Sequence, residues 1–579
     1  MNAAVATAFC FLVYFLGYKF YSKFLAKKIF ELDDTVMTPA HQYEDGVDYV
    51  PTNRFILFGH HYASIAGLAP MLGPAVAVIW GWFPAMAWVV LGSLLIGCVH
   101  DMGSLVISIR GRGQSIGAVA EGIIGKRAKT LMHFIIFFLV TLAMGVFVFV
   151  IAFLFSPTPN EAQASVHFPQ AVIPSFGLML VAMVMGFLVY KRNWRWTRLA
   201  PVGFLLTLVL IFVAREPAVL NATRLNDLSF APGIKGWSMI LLVYAFFASV
   251  LPVWILLQPR DLLNSLLLYF GLMGLYLGVF VSAPEFVAPA VRFEVDGSPG
   301  LFPFVFIVIA CGAASGFHSL VSSGTTSKQL EKESDARVVG YGGMIGESLL
   351  GLIAVLATTA GLMDQKTWLI TYANWGAVQG LGAKIGVFIQ GGATFLEGLG
   401  ISRAIGSSFI SIIVVSYALT TLDSATRLLR YNIEEMVRGT FLQFLSNRFI
   451  SSLIAVLSIG FFAFYQVGGK AAGVALWGLF GTTNQLMAGL ALLAITVYLR
   501  QRGKAWYFTG IPMVFLLGQT LVAMTINLMG FYAKGQTLLL IVGFTLLFLA
   551  VWLLVEAVFA ILRIRSKGLI RTMQIEELS

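Results

Sequence analysis

The sequence predicts an all-α polytopic membrane protein of about fifteen spans, on three observations. Of 579 residues, 58% are hydrophobic and 11% charged, and the mean hydropathy is +0.86. Soluble chains carry roughly 25% charged residues, so a water-facing body of this size would lack cover. A cytosolic enzyme and a nucleic-acid-binding domain are thereby excluded. The apolar runs are about 20 residues long, enough to cross a hydrocarbon core as a helix, and they lack the alternation of a membrane β-barrel. The 58 Gly and 48 Phe suit helices that pack closely in lipid.

In chain order the spans fall near 3–20, 56–80, 84–109, 130–155, 170–190, 199–214, 237–257, 262–283, 303–327, 340–362, 404–426, 448–467, 473–499, 506–529 and 537–562. The run at 378–400 is Gly-rich and amphipathic and reads as an interfacial or re-entrant segment. Residues 1–18 carry no positive charge, and Lys19, Lys23, Lys27 and Lys28 follow the apolar stretch. That order marks a retained first helix rather than a signal peptide. Most of the 38 Lys and Arg gather in alternate loops when the N-terminus is placed outside. The net charge of +11 is therefore a topology signal with a cytoplasmic C-terminus, and its partner is membrane lipid rather than nucleic acid. No hydrophilic stretch divides the chain: 1–55 is an N-terminal helix and loop, 56–214 and 237–426 are two five-helix units, 448–562 adds helices, and 563–579 is a tail. Cys10, Cys98 and Cys311 lie in apolar runs without metal or disulfide spacing.

Span 2 contains GHHYASIAGLAPMLGP (59–74), with two histidines and two prolines. Proline removes a helix hydrogen bond and glycine tolerates unwound backbone. Freed backbone groups cannot face lipid, so this break lines a cavity or packs on protein. A proline kink is the plainer alternative. Span 7 carries Pro252 mid-run and Pro259 near its end. Spans 2 and 7 run in opposite directions, five spans apart, as in an inverted-repeat transporter, where two such breaks frame the substrate. That places His60, His61, Gly67, Ser249, Pro252 and Gln258 at a substrate site. Span 9 carries a third polar break, CGAASGFHSLVSSGTTSKQ (311–329). Its hydroxyls at Ser322, Ser323, Thr325 and Thr326 offer oxygen ligands to a cation.

Ionisable residues within spans are functional candidates, because burying them in lipid is unfavourable. They are His60, His61, His100, Asp101, His318, Glu347, Asp423 and Glu556. Each has a structural reading: Asp101 paired with Arg110 or Arg112, Asp423 with Arg427 one turn on, Glu556 packed among the added helices, and Arg260–Asp261 ending span 7 at the interface. Histidine titrates near neutral pH, so His61 and His318, with Asp101 and Asp423, suit a coupling proton. Sodium on the span 9 hydroxyls is the alternative. A divalent metal on one of His60 and His61 with His318 and Asp101 is a further one, and would make the chain an intramembrane metal-dependent enzyme. No nucleotide-binding motif or cofactor signature is present. A nutrient sensor on a transporter scaffold is a third reading.

The segments GHHYASIAGLAPMLGP, LLQPRDLLNS (256–265), CGAASGFHSLVSSGTTSKQ, TTLDSATR (420–427) and WGLFGTTNQL (477–486) resemble the signature segments of the carbon starvation protein A family of bacterial transporters. The resemblance runs from about residue 53 to 500. It implies a LeuT-like core with extra helices, and proton-coupled uptake of peptides or pyruvate across the bacterial inner membrane. In LeuT-like folds the helix two after the second broken helix helps to hold a coupling ion; counted from span 7, that is span 9.

Overall fold

Long apolar runs with few charges leave the backbone one way to satisfy its N–H and C=O groups in lipid, the α-helix, and the chain takes it throughout. The computed structural model describes residues 1–157, 167–379, 381–464, 466, 467, 470, 471 and 477–566. In order, the long helices are α1 (Ala3–Ile29), the bent pair α2 (Arg54–Ile65) and α3 (Ala69–Trp80), α4 (Trp82–Arg110), α5 (Lys126–Phe155), α6 (Pro169–Arg192) and α7 (Trp196–Val213). Then follow α8 (Ile234–Val250), α9 (Leu257–Ser282), two short helices α10 (Leu301–Val308) and α11 (Gly316–Gly324), α12 (Arg337–Ala360) and α13 (Leu381–Glu397). The last are α14 (Arg403–Val437), α15 (Arg448–Phe464), α16 (Trp477–Gln501), α17 (Tyr507–Ala533) and α18 (Thr537–Ala560). The described strand residues form one short antiparallel pair, Gln466–Val467 with Lys470–Ala471.

Among the described residues, 11 helices are long and apolar enough to cross a membrane, or 12 with α2 and α3 counted as one bent span. This falls short of the expected fifteen for a visible reason. Helices α8 and α15 are 17 residues each, and the ninth expected span is two short helices. The tail from 567 onward and the start of the expected span at 473 lie outside the described residues.

Two groups of helices pack internally. One comprises α2/α3, α4, α11 and α12; the other comprises α5, α8, α14 and α15. Helix α9 packs on α2 and α14, and α16 packs on α4, α5 and α11. The N-terminus is pinned at one end of the bundle, where Ala3 N donates to Pro284 O at 2.8 Å. The opposite end is rich in cations. There Arg110 donates to Glu333 Oε1 at 2.7 Å and to Phe30 O at 2.7 Å, and Arg127 lies 3.4 Å from Glu556. Glu556 thus pairs with α5 instead of packing only among the added helices.

Two expectations need correction. Pro252 does not break a span: it lies in the turn between α8 and α9. The apolar run continues through this turn, which hydropathy alone cannot distinguish from a kink. The segment near 378–400 forms the 17-residue helix α13, which packs on α3, α9, α12 and α14 with Ile385, Phe388, Ile389 and Phe395 buried. Its apolar face meets protein, which overturns the interfacial half of the expectation and leaves the re-entrant half.

The true second break is 309–315, between α10 and α11. Gly97 of α4 seats it: a Cβ there would lie 2.2 Å from Ala313 O and 3.0 Å from Met344 Cε. Even one methyl must displace the unwound backbone. Gly97→Ala should lower stability by about 1–3 kcal/mol, read as a lowered melting temperature in detergent; an unchanged melting temperature would disprove this close packing.

Candidate functional site

The two breaks face each other. The first, 66–68, bends the α2/α3 pair by 49°. Ala66 N still donates to Tyr62 O at 2.8 Å, while Gly67 N donates to Ile65 O at 2.8 Å. In the second, Gly312 takes φ +95°, a conformation open to glycine. A Cβ at Gly73 would lie 2.4 Å from Val308 O, and one at Gly312 would lie 3.7 Å from Pro70 Cβ. Buried unwound backbone needs partners, and α16 supplies some of them. Asn484 Oδ1 accepts from Phe317 N at 2.9 Å, and its Nδ2 donates to Ser315 Oγ at 3.0 Å. Glu347 Oε1 accepts from Gly312 N at 3.2 Å.

Beside the second break lies a buried acid–imidazole–acid chain. His318 Nδ1 hydrogen-bonds Asp101 Oδ2 at 2.9 Å. His318 Nε2 stands 3.1 Å from Glu347 Oε2, at ion-pair distance but off the axis of a hydrogen bond. Asp101 Oδ1 also meets His100 Nδ1 at 2.8 Å. All four side chains are fully buried. An imidazole that takes up a proton becomes a cation, and His318, with Asp101 bonded at Nδ1 and Glu347 at ion-pair distance from Nε2, stands where two carboxylates can hold that charge. Asp101 therefore pairs with histidines, and Arg110 is occupied by Glu333.

A second buried network joins α2, α8, α9 and α14. His60 Nδ1 hydrogen-bonds Asp261 Oδ2 at 2.7 Å, and Arg260 donates to Asp261 Oδ1 at 2.8 Å. Arg260 also pairs with Asp423 and donates to Tyr244 Oη at 2.9 Å, while Tyr244 donates to Asp423. Arg260 and Asp261, read from sequence as an interfacial end, are fully buried. Asp423 pairs with Arg260 instead of Arg427.

The remaining expected residues separate. His61 Nδ1 meets Thr326 Oγ1 at 2.9 Å, and the Nε2 atoms of His60, His61 and His100 have no hydrogen-bond partner among the described residues. Gly67 packs on α14, where a Cβ would lie 2.5 Å from Thr421 Oγ1. Ser249 donates to Ser452 Oγ at 2.9 Å. Gln258 accepts from Tyr190 at 2.5 Å and donates to Gln329 at 2.6 Å. Ser249, Pro252 and Gln258 are thus engaged elsewhere, and 308–312 takes the place across from the first break. In the hydroxyl run, Ser323 donates to Ser319 O at 2.6 Å and Thr325 to Val321 O at 3.1 Å, whereas Ser322 Oγ is buried without a partner among the described residues. Among the described residues no three His, Cys, Asp or Glu side chains are arranged to hold a metal ion.

The cation-rich end is latched. Asp48, in the loop before α2, accepts from Tyr431 and lies 3.3 Å from Arg427 and 3.7 Å from Arg430. Thr52 N donates to Gln329 O at 3.0 Å and fastens the same loop to the segment after α11. Burial pushes the Asp48 carboxyl up, but Lys328, Arg430 and Arg427 together hold it below the ordinary range. A depressed carboxyl contributes fully above its unfolded value, about pH 4, and loses that contribution as pH falls through the folded value. Asp48→Asn should therefore loosen the loop at neutral pH. On a cysteine-free background, maleimide labelling at Thr52→Cys should accelerate about tenfold; an unchanged rate would show that the latch carries no load.

The chain matches the family model "Carbon starvation protein CstA" over residues 2–381 and 374–523. It belongs to the carbon starvation protein CstA family. It is 32% identical over 561 residues to a Helicobacter pylori protein named "Peptide transporter CstA", covering 88% of this chain and 79% of that one. With a Mycobacterium tuberculosis protein of the same name the identity is 34% over 573 residues, covering 88% and 73%. With an Escherichia coli protein named "Pyruvate/proton symporter BtsT" it is 31% over 593 residues, covering 89% and 80%. Among solved structures, an Eremococcus coleocola manganese transporter mutant aligns with TM-score 0.43 at 13% identity, covering 90% of this chain and 99% of that one. The residues of this CstA-family chain that sequence reasoning missed are Arg260, Asp261, Tyr244, Asn484 and the bridging role of Glu347. One signal was available: Arg260–Asp261 lies within a largely apolar stretch, with PVWILL (252–257) before Gln258–Pro259 and LL (262–263) after.

Proposed function

We propose that this chain is a secondary transporter that imports peptides or pyruvate across the bacterial inner membrane by alternating access, coupled to protons. The names of its relatives support transport rather than catalysis. The observation that carries proton coupling is His318 set between Asp101 and Glu347, beside an unwound helix. A proton arriving there changes the charge holding α4, α11 and α12 together, which is the lever alternating access needs. The broken helices α2/α3 and α10/α11 are the equivalent pair of a LeuT-like inverted repeat, in place of spans 2 and 7. Counting each pair as one crossing, with α8 and α15 included and α13 left out, gives fifteen. An odd count puts the termini on opposite sides, and the positive-inside rule puts the cation-rich end in the cytoplasm and the N-terminus outside. With that end latched, the conformation faces outward.

The test is uptake by proteoliposomes of pyruvate and of a dipeptide, under inward proton and sodium gradients applied separately. A proton gradient without sodium should drive uptake of one of them. Uptake that requires sodium and is indifferent to His318→Gln would overturn the reading and turn attention to the hydroxyls of α11.

A further inference from the structure

A cavity of about 320 Å³ opens between α3, α10, α13, α16 and α17. Ala69, Ala310 and Cys311 lie on its wall, so it reaches both breaks. Its distinguishing group is Lys384 of α13, whose side chain is 95% buried while lining the cavity (5% exposed). Lys384 makes no hydrogen bond or ion pair among the described residues; its ammonium lies 5.2 Å from the Trp477 ring centre. The sequence holds no Asp or Glu between Asp364 and Glu397, and Glu397, at the far end of α13, pairs with Arg403 at 3.3 Å, so α13 brings Lys384 no counter-charge. Burying an ammonium without an anion is unfavourable by several kcal/mol, and a single aromatic face offsets only part of that. Asn527 Nδ2, also on the cavity wall, is a buried donor without a partner among the described residues. Two buried donors, the exposed Lys534 and no acidic residue line an aromatic-walled space that includes Trp375 and Trp477.

We propose that Lys384 and Asn527 form a carboxylate-recognition site, through which the substrate's free carboxylate is held before it reaches the breaks. The inference rests on the transporter reading and adds to it the recognised group. Pyruvate and the C-terminus of a peptide share this one chemistry. Lys384 supplies the charge, Asn527 a directed N–H, and the tryptophans pack on the apolar remainder.

The experiment uses the full-length purified protein and tryptophan fluorescence, which does not depend on coupling. Pyruvate and dialanine are the probes, each compared with its uncharged amide. At least one acid should quench with saturation, and its amide should bind at least tenfold more weakly. Lys384→Gln should weaken acid binding at least tenfold and bring acid and amide together, whereas Lys384→Arg should keep the discrimination. Asn527→Ala should weaken the acid by a smaller factor. In uptake, Lys384→Gln should raise KM and leave kcat within about threefold. Acid and amide binding equally to the unsubstituted protein, an unaffected Lys384→Gln variant, or failure of both acids to bind would each overturn the site. Failure of the unsubstituted protein to take up either acid under any gradient would instead overturn the transport reading.

Discussion

Replacing His318 with glutamine should abolish proton-driven uptake while leaving substrate exchange largely intact. Without the imidazole, Asp101 and Glu347 face each other with no cation between them. Two close buried carboxyls cannot both stay ionised, so one keeps its proton through the cycle and no longer releases it to the cytoplasm. Removing one partner of a buried charge pair is unfavourable by about 3–5 kcal/mol. At about 1.4 kcal/mol per decade, driven uptake should fall roughly a hundredfold or more. Counterflow of labelled for unlabelled substrate needs no net proton movement and should fall less than about tenfold. Glu347→Gln should also uncouple but lose less, because Asp101 still holds His318. Driven uptake in His318→Gln within about threefold of normal would remove this cluster from the coupling path.

Arg260→Gln should produce the largest loss of stability in the molecule. The guanidinium stands between Asp261 and Asp423, all three fully buried. Asp261 retains His60 at 2.7 Å, but Asp423 retains only the Tyr244 hydroxyl, and its Oδ1 already lacks a partner. A penalty of about 3–5 kcal/mol corresponds to a melting temperature lower by about 2–4 °C for a chain of this size. Combining Arg260→Gln with Asp423→Asn removes the orphaned charge together with its partner and should restore more than half of the loss. A double variant no more stable than Arg260→Gln alone would show that Arg260 acts through packing rather than charge.

What the sequence disclosed follows from what is local. Apolar length marked every long helix except α13, and the first break was legible because glycine and proline fall together in GHHYASIAGLAPMLGP. The second break was misassigned to Pro252, since a buried turn and a kinked helix look alike in hydropathy. The true break at 309–315 contains no proline and was noted for its hydroxyls, yet the backbone there is opened by Gly312 and satisfied by Asn484 from α16. Asp101 and His318 were expected to act together, and they meet. The Arg260–Asp423 pairing was not legible, because its partners sit on α9 and α14 and only the fold brings them together. Lys384 was hidden by the same limit: in sequence it is one cation in a Gly-rich run, and only the packing of α13 buries it.

If the Asp101–His318–Glu347 chain carries the coupling proton as proposed, it also makes the protein a voltmeter. One of the two close carboxyls keeps a proton while His318 is neutral, so the chain carries one negative charge when His318 is neutral and none once His318 is charged as well. Each elementary charge crossing the whole membrane field exchanges about 2.3 kcal/mol per 100 mV. An interior-negative potential therefore pulls the empty site to face outward and resists its inward return. Membrane potential, acting on a cluster that never leaves the protein, would reset the carrier for the next substrate even when the external pH matches the cytoplasm.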